Sequence, residues 1–436
     1  MSMINAYSPD AGALSSEERA LIARRERVLG PAYRLFYERP VHVVRGEGCW
    51  LYGPDGEAYL DAYNNVASVG HCHPHVVEAI ARQAAVLNTH TRYLNELVVA
   101  YAERLTARLP AEISQVMFTC TGSEANDLAL RIARAFTGGQ GVIITETAYH
   151  GVTSAIAELS PSLGAGNPIG AHVRTVPAPD RRFLGEPVGQ AFAAGVRAAI
   201  ADLKKAGIRP AALLVDTIFS SDGVFAEPAG FLAEAVAEIR AAGGVFIADE
   251  VQPGFGRTGR NFWGFQAHGL VPDLVTMGKP MGGGHPMAAV AARPEVVEPF
   301  GRSCRYFNTF GGNPVSCAAG MAVLDVIEGE NLMENCAGVG AYLQARLKDL
   351  AADHPLIGEV RGAGLFVGVE LVTDRDAWTP AAAEANRVVQ AMRERRVLIS
   401  ATGSRANVLK IRPPMPFNTG HADLLVEALG ETLADL

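Results

Sequence analysis

One lysine and one aspartate each follow a short apolar run, a position from which an ionisable side chain can act on a ligand. Lys279 follows DLVTM and stands before a cluster of glycines, and Asp249 ends the run GVFIAD. Because open α/β sheets bind ligands at the carboxyl ends of their strands, Asp249 is placed where a ligand would bind. Lys279 is either a surface cap or a reactive amine, and neighbouring motifs distinguish these two interpretations.

A second feature is a turn that can hold a phosphate. In residues 115–136 an apolar run leads through Thr121-Gly122-Ser123 into a helical pattern that ends at Gly138. Ser123 is the predicted N-cap of this helix. Backbone N–H groups at a helix N-terminus favour the binding of a phosphate. The same residues also suit a plain helix cap that binds no ligand. The predicted buried face of this helix consists of Ala125, Leu128, Ala129, Ile132, Ala133 and Phe136.

These features and Tyr149, an aromatic residue after another apolar run, together meet the needs of one cofactor. Pyridoxal phosphate takes a lysine as an imine, an aspartate at its ring nitrogen, an aromatic face for stacking and a phosphate site. Lys279, Asp249, Tyr149 and the Gly122-Ser123 turn supply one of each. The combination favours a reactive amine for Lys279.

Two other patterns suggest different ligands. Gly254, Gly256 and Gly259 form a G-x-G-x-x-G, but Val-Gln-Pro separates it from the strand and aromatic residues follow it, which disfavours a dinucleotide site. The stretch GHCHPH at 70–75 lacks a second cluster at ligand spacing, so a turn with packed imidazoles is favoured. No metal is predicted.

Composition limits the class of partner. The formal net charge of -8 over 436 residues argues against nucleic acid, which favours a basic face. The sequence has no apolar run of membrane-spanning length and no apolar segment behind a basic N-terminus, so we expect no membrane association and a cytoplasmic location. Six cysteines without paired spacing suit reduced thiols. The expected partners are a small molecule and another copy of the chain.

The elements that position these residues follow from the pattern of apolar runs. A helix is predicted from about Ser16 to Leu29, with Ser15 and Glu18 in a capping-box pattern. From about residue 76, short apolar runs alternate with alanine-rich helical stretches, which predicts a mostly parallel sheet flanked by helices. These runs are QVMFT, GVIITE, ALLVDTIF, GVFIAD, DLVTM and MAAVAA. A later stretch, EVRGAGLFVGVEL, is predicted as one strand.

We divide the chain into three parts on this pattern. They are an N-terminal segment over 1–75, a large cofactor-binding α/β domain over 76–315 and a small C-terminal domain over 316–436.

Over nearly its whole length the sequence resembles the class III aminotransferases, a family of fold-type I pyridoxal phosphate enzymes. The motifs that carry the resemblance are TGSEAND at 121–127, YHG at 149–151, IADEVQPGFGRTG at 247–259, GKPMGGGHP at 278–286 and FNTFGGNP at 307–314. The resemblance implies a mostly parallel central sheet flanked by helices, with a smaller α+β domain built from both termini.

The resemblance also implies roles for individual residues. The implied cofactor-binding residues are Gly122, Ser123, Tyr149, Asp249, Val251, Gln252, Lys279 and Thr309. Lys279 and Asp249 are the implied catalytic pair, whereas Val251 and Gln252 would lie at the ring face and the phenolic oxygen. Thr309 would reach the phosphate of the neighbouring subunit, which implies a homodimer with shared active sites, with a tetramer as the alternative.

Departures from the family pattern concern the substrate. Many members have E-P-x-Q-G-E where this chain has DTIFSS, so Ser221 stands in place of the last glutamate. Lys410 stands in place of an arginine three positions before the Pro-Pro pair, and Arg412 follows two residues on. Lys410 and Arg412 are the candidate substrate-binding residues.

The resemblance implies an aminotransferase that moves an amino group from a primary amine or ω-amino acid to a 2-oxo acid. Several stretches look closest to a subgroup that includes phospholyases acting on phosphoethanolamine or phosphohydroxylysine, and elimination of ammonia and phosphate is therefore the alternative. A non-catalytic protein that binds pyridoxal phosphate is a minor alternative.

Overall fold

The computed structural model describes residues 5–9 and 14–436. The α-helices in these ranges are α1 Ser16–Leu29, α2 Pro74–Ala84, α3 Glu96–Thr106, α4 Gly122–Thr137, α5 Ser154–Ala157, α6 Arg181–Leu184, α7 Val188–Lys205, α8 Ala233–Ala241, α9 Pro294–Ser303, α10 Pro314–Gly329, α11 Leu332–Asp353, α12 Ala382–Glu394 and α13 Thr419–Ala434. The strands are β1 Arg45–Glu47, β2 Trp50–Tyr52, β3 Ala58–Asp61, β4 Gln115–Thr119, β5 Gly141–Thr145, β6 Val173–Val176, β7 Pro210–Asp216, β8 Val245–Asp249, β9 Leu274–Met277, β10 Ala288–Ala292, β11 Ile357–Ala363, β12 Phe366–Asp374, β13 Thr379–Pro380, β14 Val397–Leu398, β15 Ser400–Thr402 and β16 Val408–Ile411.

The central sheet has seven strands in the order β4-β10-β9-β8-β7-β5-β6. Strand β10 runs antiparallel to both of its neighbours, and the other pairs are parallel. Strands β5, β8, β9 and β10 are buried along their whole length, because helices cover both faces of such a sheet. The mostly parallel sheet predicted from the apolar runs is confirmed, although the edge strand β6 is absent from those runs.

Two smaller sheets are built mainly from the two ends of the chain. One has the order β1-β2-β3-β14, in which β14 pairs in parallel with β3 and so joins the two ends. The other has the order β11-β12-β16-β15, with β13 added beside β12. The boundaries at residues 75 and 315 stay a prediction.

The stretch EVRGAGLFVGVEL was expected to form one strand, and this prediction is wrong. It forms the antiparallel hairpin of β11 and β12, in which Ala363 pairs with Phe366. The chain reverses at Gly364, which has a φ of +52° and comes so close to the backbone of Arg257 that an added Cβ would lie 2.5 Å from its carbonyl oxygen. Only glycine adopts this conformation and this close approach without strain.

Of the two predicted helix N-caps, Ser15 is confirmed and Ser123 is wrong. Helix α1 begins after Ser15 with the predicted capping box to Glu18. Helix α4 is capped by Thr121 and not by Ser123, because Thr121 has the extended backbone that a cap requires, whereas Ser123 already lies within the helix. The predicted buried face holds as far as Ala133, but Phe136 in the last turn is 43% exposed. Along the described ranges, no helix is both long enough and apolar enough to cross a membrane.

Candidate active site

The carboxyl ends of three neighbouring strands form one site. Asp216 at the end of β7 pairs in register with Asp249 at the end of β8, and Asp249 pairs with Thr276 of β9. Lys279 follows β9 by two residues, so the chain brings all three ionisable groups to the same edge of the sheet. The residues that line the cavity there are Gly122, Ser123, Asn126, Tyr149, His150, Gly151, Asp216, Asp249, Val251, Gln252 and Lys279.

Asp249 is held in place by three hydrogen-bond donors. Its Oδ2 accepts from Asn126 Nδ2 at 2.9 Å and lies 2.7 Å from His150 Nδ1. Its Oδ1 accepts from the backbone N–H of Val251 at 3.1 Å. A carboxylate can only accept, so Nδ1 of His150 carries the proton in this contact. Asp249 is therefore a buried, fixed acceptor, as its predicted role at a ring nitrogen requires.

The amine of Lys279 is set for proton exchange near neutral pH. Burial and, to a smaller extent, the positive charge of Arg412 lower its pKa to about 8. The carboxylates of Asp249 and Asp216 act in the opposite direction. An amine with such a pKa is partly neutral at physiological pH and can accept a proton from a bound molecule.

The predicted phosphate turn has the close backbone approach that such a site needs. The backbone N–H groups of Gly122 and Ser123 lie in the first turn of α4, where the helix provides no acceptor for them. Ser123 Oγ accepts from Val152 N at 3.1 Å, so its own proton stays available for a phosphate oxygen. Gly151, with a φ of +139°, approaches so closely that an added Cβ would lie 2.5 Å from Ser123 Oγ.

Gln252 connects the cavity to the candidate substrate-binding residues. Its Oε1 accepts from Arg412 Nη1, and its Nε2 donates to Ser220 Oγ at 2.6 Å. Val251 lies beside Gly122, where an added Cβ would be 3.1 Å from a Val251 methyl group. Tyr149 is 37% exposed, and burial together with the charge of Asp249 raises the pKa of its hydroxyl.

Lys410 and Arg412 both project from the β16 region into the protein. They are two residues apart in an extended segment and therefore point to the same face. They are 7% and 6% exposed, and neither lines the cavity itself. The Arg412 guanidinium lies 4.6 Å from the centre of the Tyr63 ring.

Thr309 lies apart from the other predicted site residues. It is exposed on the turn that precedes α10 and does not line the cavity of its own chain. Asn308 Oδ1 shapes this turn by accepting from the N–H groups of Phe310 and Gly311 at 3.2 and 2.8 Å. The role of Thr309 at a neighbouring subunit stays a prediction.

The structure adds three residues that the sequence predictions missed. His150 and Asn126 hold Asp249, and Asp216 stands beside it. Asp216 gave a readable signal, since it ends an apolar run in the same way as Asp249. Asn126 lies one turn into the helix that carries the phosphate turn, but nothing in its local sequence marks it as a partner of Asp249.

The structure also explains the two stretches that suggested other ligands, the G-x-G-x-x-G at 254–259 and the GHCHPH at 70–75. After β8 the chain makes a series of turns instead of the helix that a dinucleotide site requires. In the GHCHPH stretch each histidine contacts an acid through Nε2: His71 lies 2.7 Å from Asp61, His73 lies 2.9 Å from Glu330, and His75 lies 3.0 Å from Asp325.

The residues of the cavity fit pyridoxal phosphate. A half-buried amine with a lowered pKa, a fixed carboxylate and a helix N-terminus with an available hydroxyl lie around one cavity. These groups match the aldehyde, ring nitrogen and phosphate of that cofactor.

Comparisons with known proteins agree with this chemistry. The family model described as Aminotransferase class-III matches residues 36–433. A Drosophila melanogaster protein named alanine--glyoxylate aminotransferase 2-like is 41% identical, over 94% of this chain and 86% of its own length. A Caenorhabditis elegans protein named ethanolamine-phosphate phospho-lyase homolog 1 is 37% identical, over 96% of this chain and 94% of its own length. A solved Arthrobacter phospholyase in complex with phosphoethanolamine has a TM-score of 0.92 and 45% identity, and it covers 95% of this chain and 100% of its own.

The chain belongs to the class III aminotransferase family. It is accordingly a pyridoxal phosphate-dependent enzyme of fold type I, as its motifs predicted.

Proposed function

We propose that this class III aminotransferase moves an amino group from a primary amine or ω-amino acid to a 2-oxo acid. The observation that carries the proposal is the cavity in which the Lys279 amine, with a pKa of about 8, lies with the anchored Asp249 carboxylate. Arg412 supports it, because a guanidinium can bind the carboxylate of a 2-oxo acid through two parallel hydrogen bonds.

Pyridoxal phosphate, when bound, supplies an electron sink for the negative charge that develops at the substrate carbon bearing the nitrogen. The chain supplies the rest. Asp249 offers a fixed acceptor for a protonated ring nitrogen, and the turn at Gly122 and Ser123 offers donors for the phosphate. Lys279 Nζ removes a proton from the substrate carbon, which requires its neutral form at the start, and the protonated amine can then deliver that proton at a second carbon, so that the nitrogen leaves the substrate.

Elimination of ammonia and phosphate from an O-phosphorylated amino alcohol or phosphohydroxylysine is the second candidate. Two buried cations on one face, Lys410 and Arg412, favour it because together they balance the charge of a phosphate dianion. Ser221 in place of the glutamate of the family pattern also leaves one fewer acid at that position. The likeness to the Arthrobacter phospholyase gives this candidate independent support.

One set of assays separates the two reactions. Purified protein is incubated with phosphoethanolamine or with a panel of primary amines, with and without pyruvate or 2-oxoglutarate. Transamination yields one new amino acid for each amine consumed and requires the 2-oxo acid. Release of phosphate and ammonia from phosphoethanolamine without a 2-oxo acid would refute the aminotransferase proposal and establish the lyase.

Lys279→Ala is the control for both reactions. It removes the amine that takes the proton from the substrate carbon, so product formation in both assays should disappear while the fold is retained. A fully active Lys279→Ala protein would overturn both candidates. An inert wild-type protein that still binds the cofactor would agree with the minor alternative, a non-catalytic binding protein.

We also propose a homodimer with shared active sites, with a tetramer as the alternative. Exposed apolar side chains near Thr309 support a subunit contact there, since Phe307 is 38% and Phe310 is 68% exposed. A Thr309 hydroxyl bonded to the partner's cofactor phosphate contributes about 1.5–3 kcal/mol. Thr309→Ala should therefore weaken cofactor affinity about ten- to a hundredfold without unfolding. A fully active monomer in sedimentation would remove this proposal.

A cytoplasmic location is proposed as well. All six cysteines are free thiols in the described residues, which suits a reducing compartment. Fractionation of cells that express the full chain tests this, and recovery in an organelle or a secreted fraction would contradict it.

A further inference from the structure

The turn at residues 217–224 carries backbone strain beside the cavity. It follows directly on Asp216, the last residue of β7, which lines the cavity. Phe219 and Val224 have φ values of +54° and +65°, a left-handed conformation that is uncommon for any side chain and an outlier for a β-branched one. Such a conformation persists only where the surrounding structure imposes it, and it is frequent at functional sites. Contacts around the 217–224 turn must therefore hold it.

The 217–224 turn behaves as one unit because a single carbonyl joins its two halves. The carbonyl of Phe219 accepts from the N–H groups of Asp222, Gly223 and Val224 at 3.0, 3.2 and 3.0 Å. The side chains of Phe219 and Val224 are fully buried. A displacement at Gly223 or Val224 is therefore passed on to Ser220, the residue that follows Phe219.

Arg361 of β11 clamps the second half of this turn. Its Nε donates to the carbonyls of Gly223 and Val224, both at 3.0 Å, and its Nη2 donates to the Gly223 carbonyl at 2.8 Å. Its Nη1 donates to Glu359 at 2.8 Å and also to Glu370. One guanidinium can bind the turn and the two acids at once because its N–H groups form a fixed, planar fork.

Ser220 connects the 217–224 turn to Arg412. The Ser220 hydroxyl is buried and accepts from Gln252 Nε2 at 2.6 Å, and Gln252 Oε1 accepts from Arg412 Nη1. Thr402 Oγ1 donates to the Ser220 carbonyl at 3.0 Å and so holds the first half of the turn. Nε of Arg412 has no hydrogen-bond partner among the described residues. Gln252 therefore fixes the direction in which the guanidinium points, and Ser220 fixes Gln252.

We propose that Arg361 is a positioning residue for the active site, which acts through the 217–224 turn, Ser220 and Gln252 to hold the Arg412 guanidinium in one orientation. Arg361 does not line the cavity itself, so it acts only through this chain of hydrogen bonds. Its effect on substrate binding rests on the proposed role of Arg412 in binding an anionic group. Its effect on the orientation of Arg412 depends on neither reaction.

Three variants break the chain of hydrogen bonds at two places in the cofactor-loaded, full-length protein. Arg361→Met removes all the donors of the clamp. The two acids keep Arg182, which lies 3.0 Å from Glu359 and 2.7 Å from Glu370. Arg361→Lys keeps a cation beside these acids but cannot also bind both turn carbonyls, because an ammonium is a single point charge. Ser220→Ala keeps the clamp and breaks the next link.

Arg375→Met is the matched control. Arg375, which lies directly after β12, also donates to backbone carbonyls, those of Ala351, His354 and Ile357. None of these carbonyls belongs to the 217–224 turn. Arg375→Met therefore reports the general effect of removing an arginine that binds backbone carbonyls.

The direct readout is the rate at which phenylglyoxal modifies Arg412, followed by peptide mass spectrometry. All three variants should raise this rate several-fold, because a guanidinium that is no longer held is more accessible to the reagent. They should also raise KM for an anionic substrate about tenfold with little change in kcat, as expected when binding common to ground and transition states is lost. Arg375→Met should change neither quantity.

The double variant tests whether Arg361 and Ser220 act through one chain. Arg361→Met combined with Ser220→Ala should have no larger effect than the larger of the two single changes, because either one already breaks the chain. Full additivity would mean that the two residues act independently and would overturn the proposal.

The proposal is also overturned if phenylglyoxal modifies Arg412 at the wild-type rate in both Arg361→Met and Ser220→Ala. Wild-type behaviour of Arg361→Lys would reduce Arg361 to a counter-charge, and an equal change in Arg375→Met would show only general loosening. If Arg361→Met does not fold, Arg361→Lys and Ser220→Ala decide the question. Labelling of Arg412 needs no turnover, so a protein that is inert in both assays would refute the proposed function and not this inference.

Discussion

Replacing His150 with phenylalanine removes one of the three donors that hold the Asp249 carboxylate. His150 is 4% exposed, and its Nδ1 makes the shortest of the three contacts, at 2.7 Å. Its other nitrogen, Nε2, has no hydrogen-bond partner among the described residues. The phenyl ring therefore removes one hydrogen bond, keeps most of the buried apolar volume and leaves no other donor or acceptor unpaired.

The size of the effect follows from the charge on the acceptor. A hydrogen bond to an ionised group contributes about 1.5–3 kcal/mol, which corresponds to about a ten- to hundredfold change in an equilibrium constant. Asp249 retains Asn126 and the Val251 N–H, so it should stay in place but be held less firmly in the orientation that a ring N–H donor requires. We expect the dissociation constant for pyridoxal phosphate to rise by that factor.

The assay is a titration of cofactor-free protein with pyridoxal phosphate, followed by absorbance, together with thermal unfolding. His150→Asn is the conservative variant, since its amide nitrogen can replace Nδ1 and should restore most of the affinity. His268→Phe is the control. His268 is 3% exposed and makes only a 3.4 Å contact to the Thr217 carbonyl, outside the cavity lining.

Two results would refute the reasoning. One is a His150→Phe protein that binds the cofactor within twofold of wild type. The other is a loss of affinity in His268→Phe as large as in His150→Phe, which would mean that any buried histidine matters equally.

Three further predictions follow from the same site. Thr121→Ala removes the cap of α4 and should lower the free energy of unfolding by about 1 kcal/mol in urea titrations, whereas an unchanged midpoint would assign the cap elsewhere. Gly151→Ala forces a Cβ to within 2.5 Å of Ser123 Oγ and should weaken cofactor binding at least about tenfold in the same absorbance titration, so wild-type affinity would contradict the close approach. Because Lys279 is a free amine only once substrate has displaced it, and its neutral form increases as pH rises towards its pKa of about 8, kcat should fall about tenfold per pH unit below that value, and a flat kcat profile from pH 6 to 8 would exclude Lys279 as the base.

The sequence by itself was enough to predict most of the central strands, the helix that follows the phosphate turn and the cofactor. Four of the central strands predicted from apolar runs, β5, β8, β9 and β10, are buried along their whole length, and the phosphate turn with its helix lies within one segment. Lys279 and Asp249 are recognisable because a charged residue at the end of a buried run is unusual in any local context. Such features depend on neighbours along the chain, and one sequence contains that information.

Only the tertiary structure decided how these residues are held. His150 and Asp249 are 99 positions apart, and Gln252 and Arg412 are 160 apart, so no local pattern connects them. The place of Asp216 beside Asp249 depends on the strand order, in which β7 lies between β8 and β5. Contacts of this kind arise from packing, and the burial that packing produces lowers the pKa of Lys279.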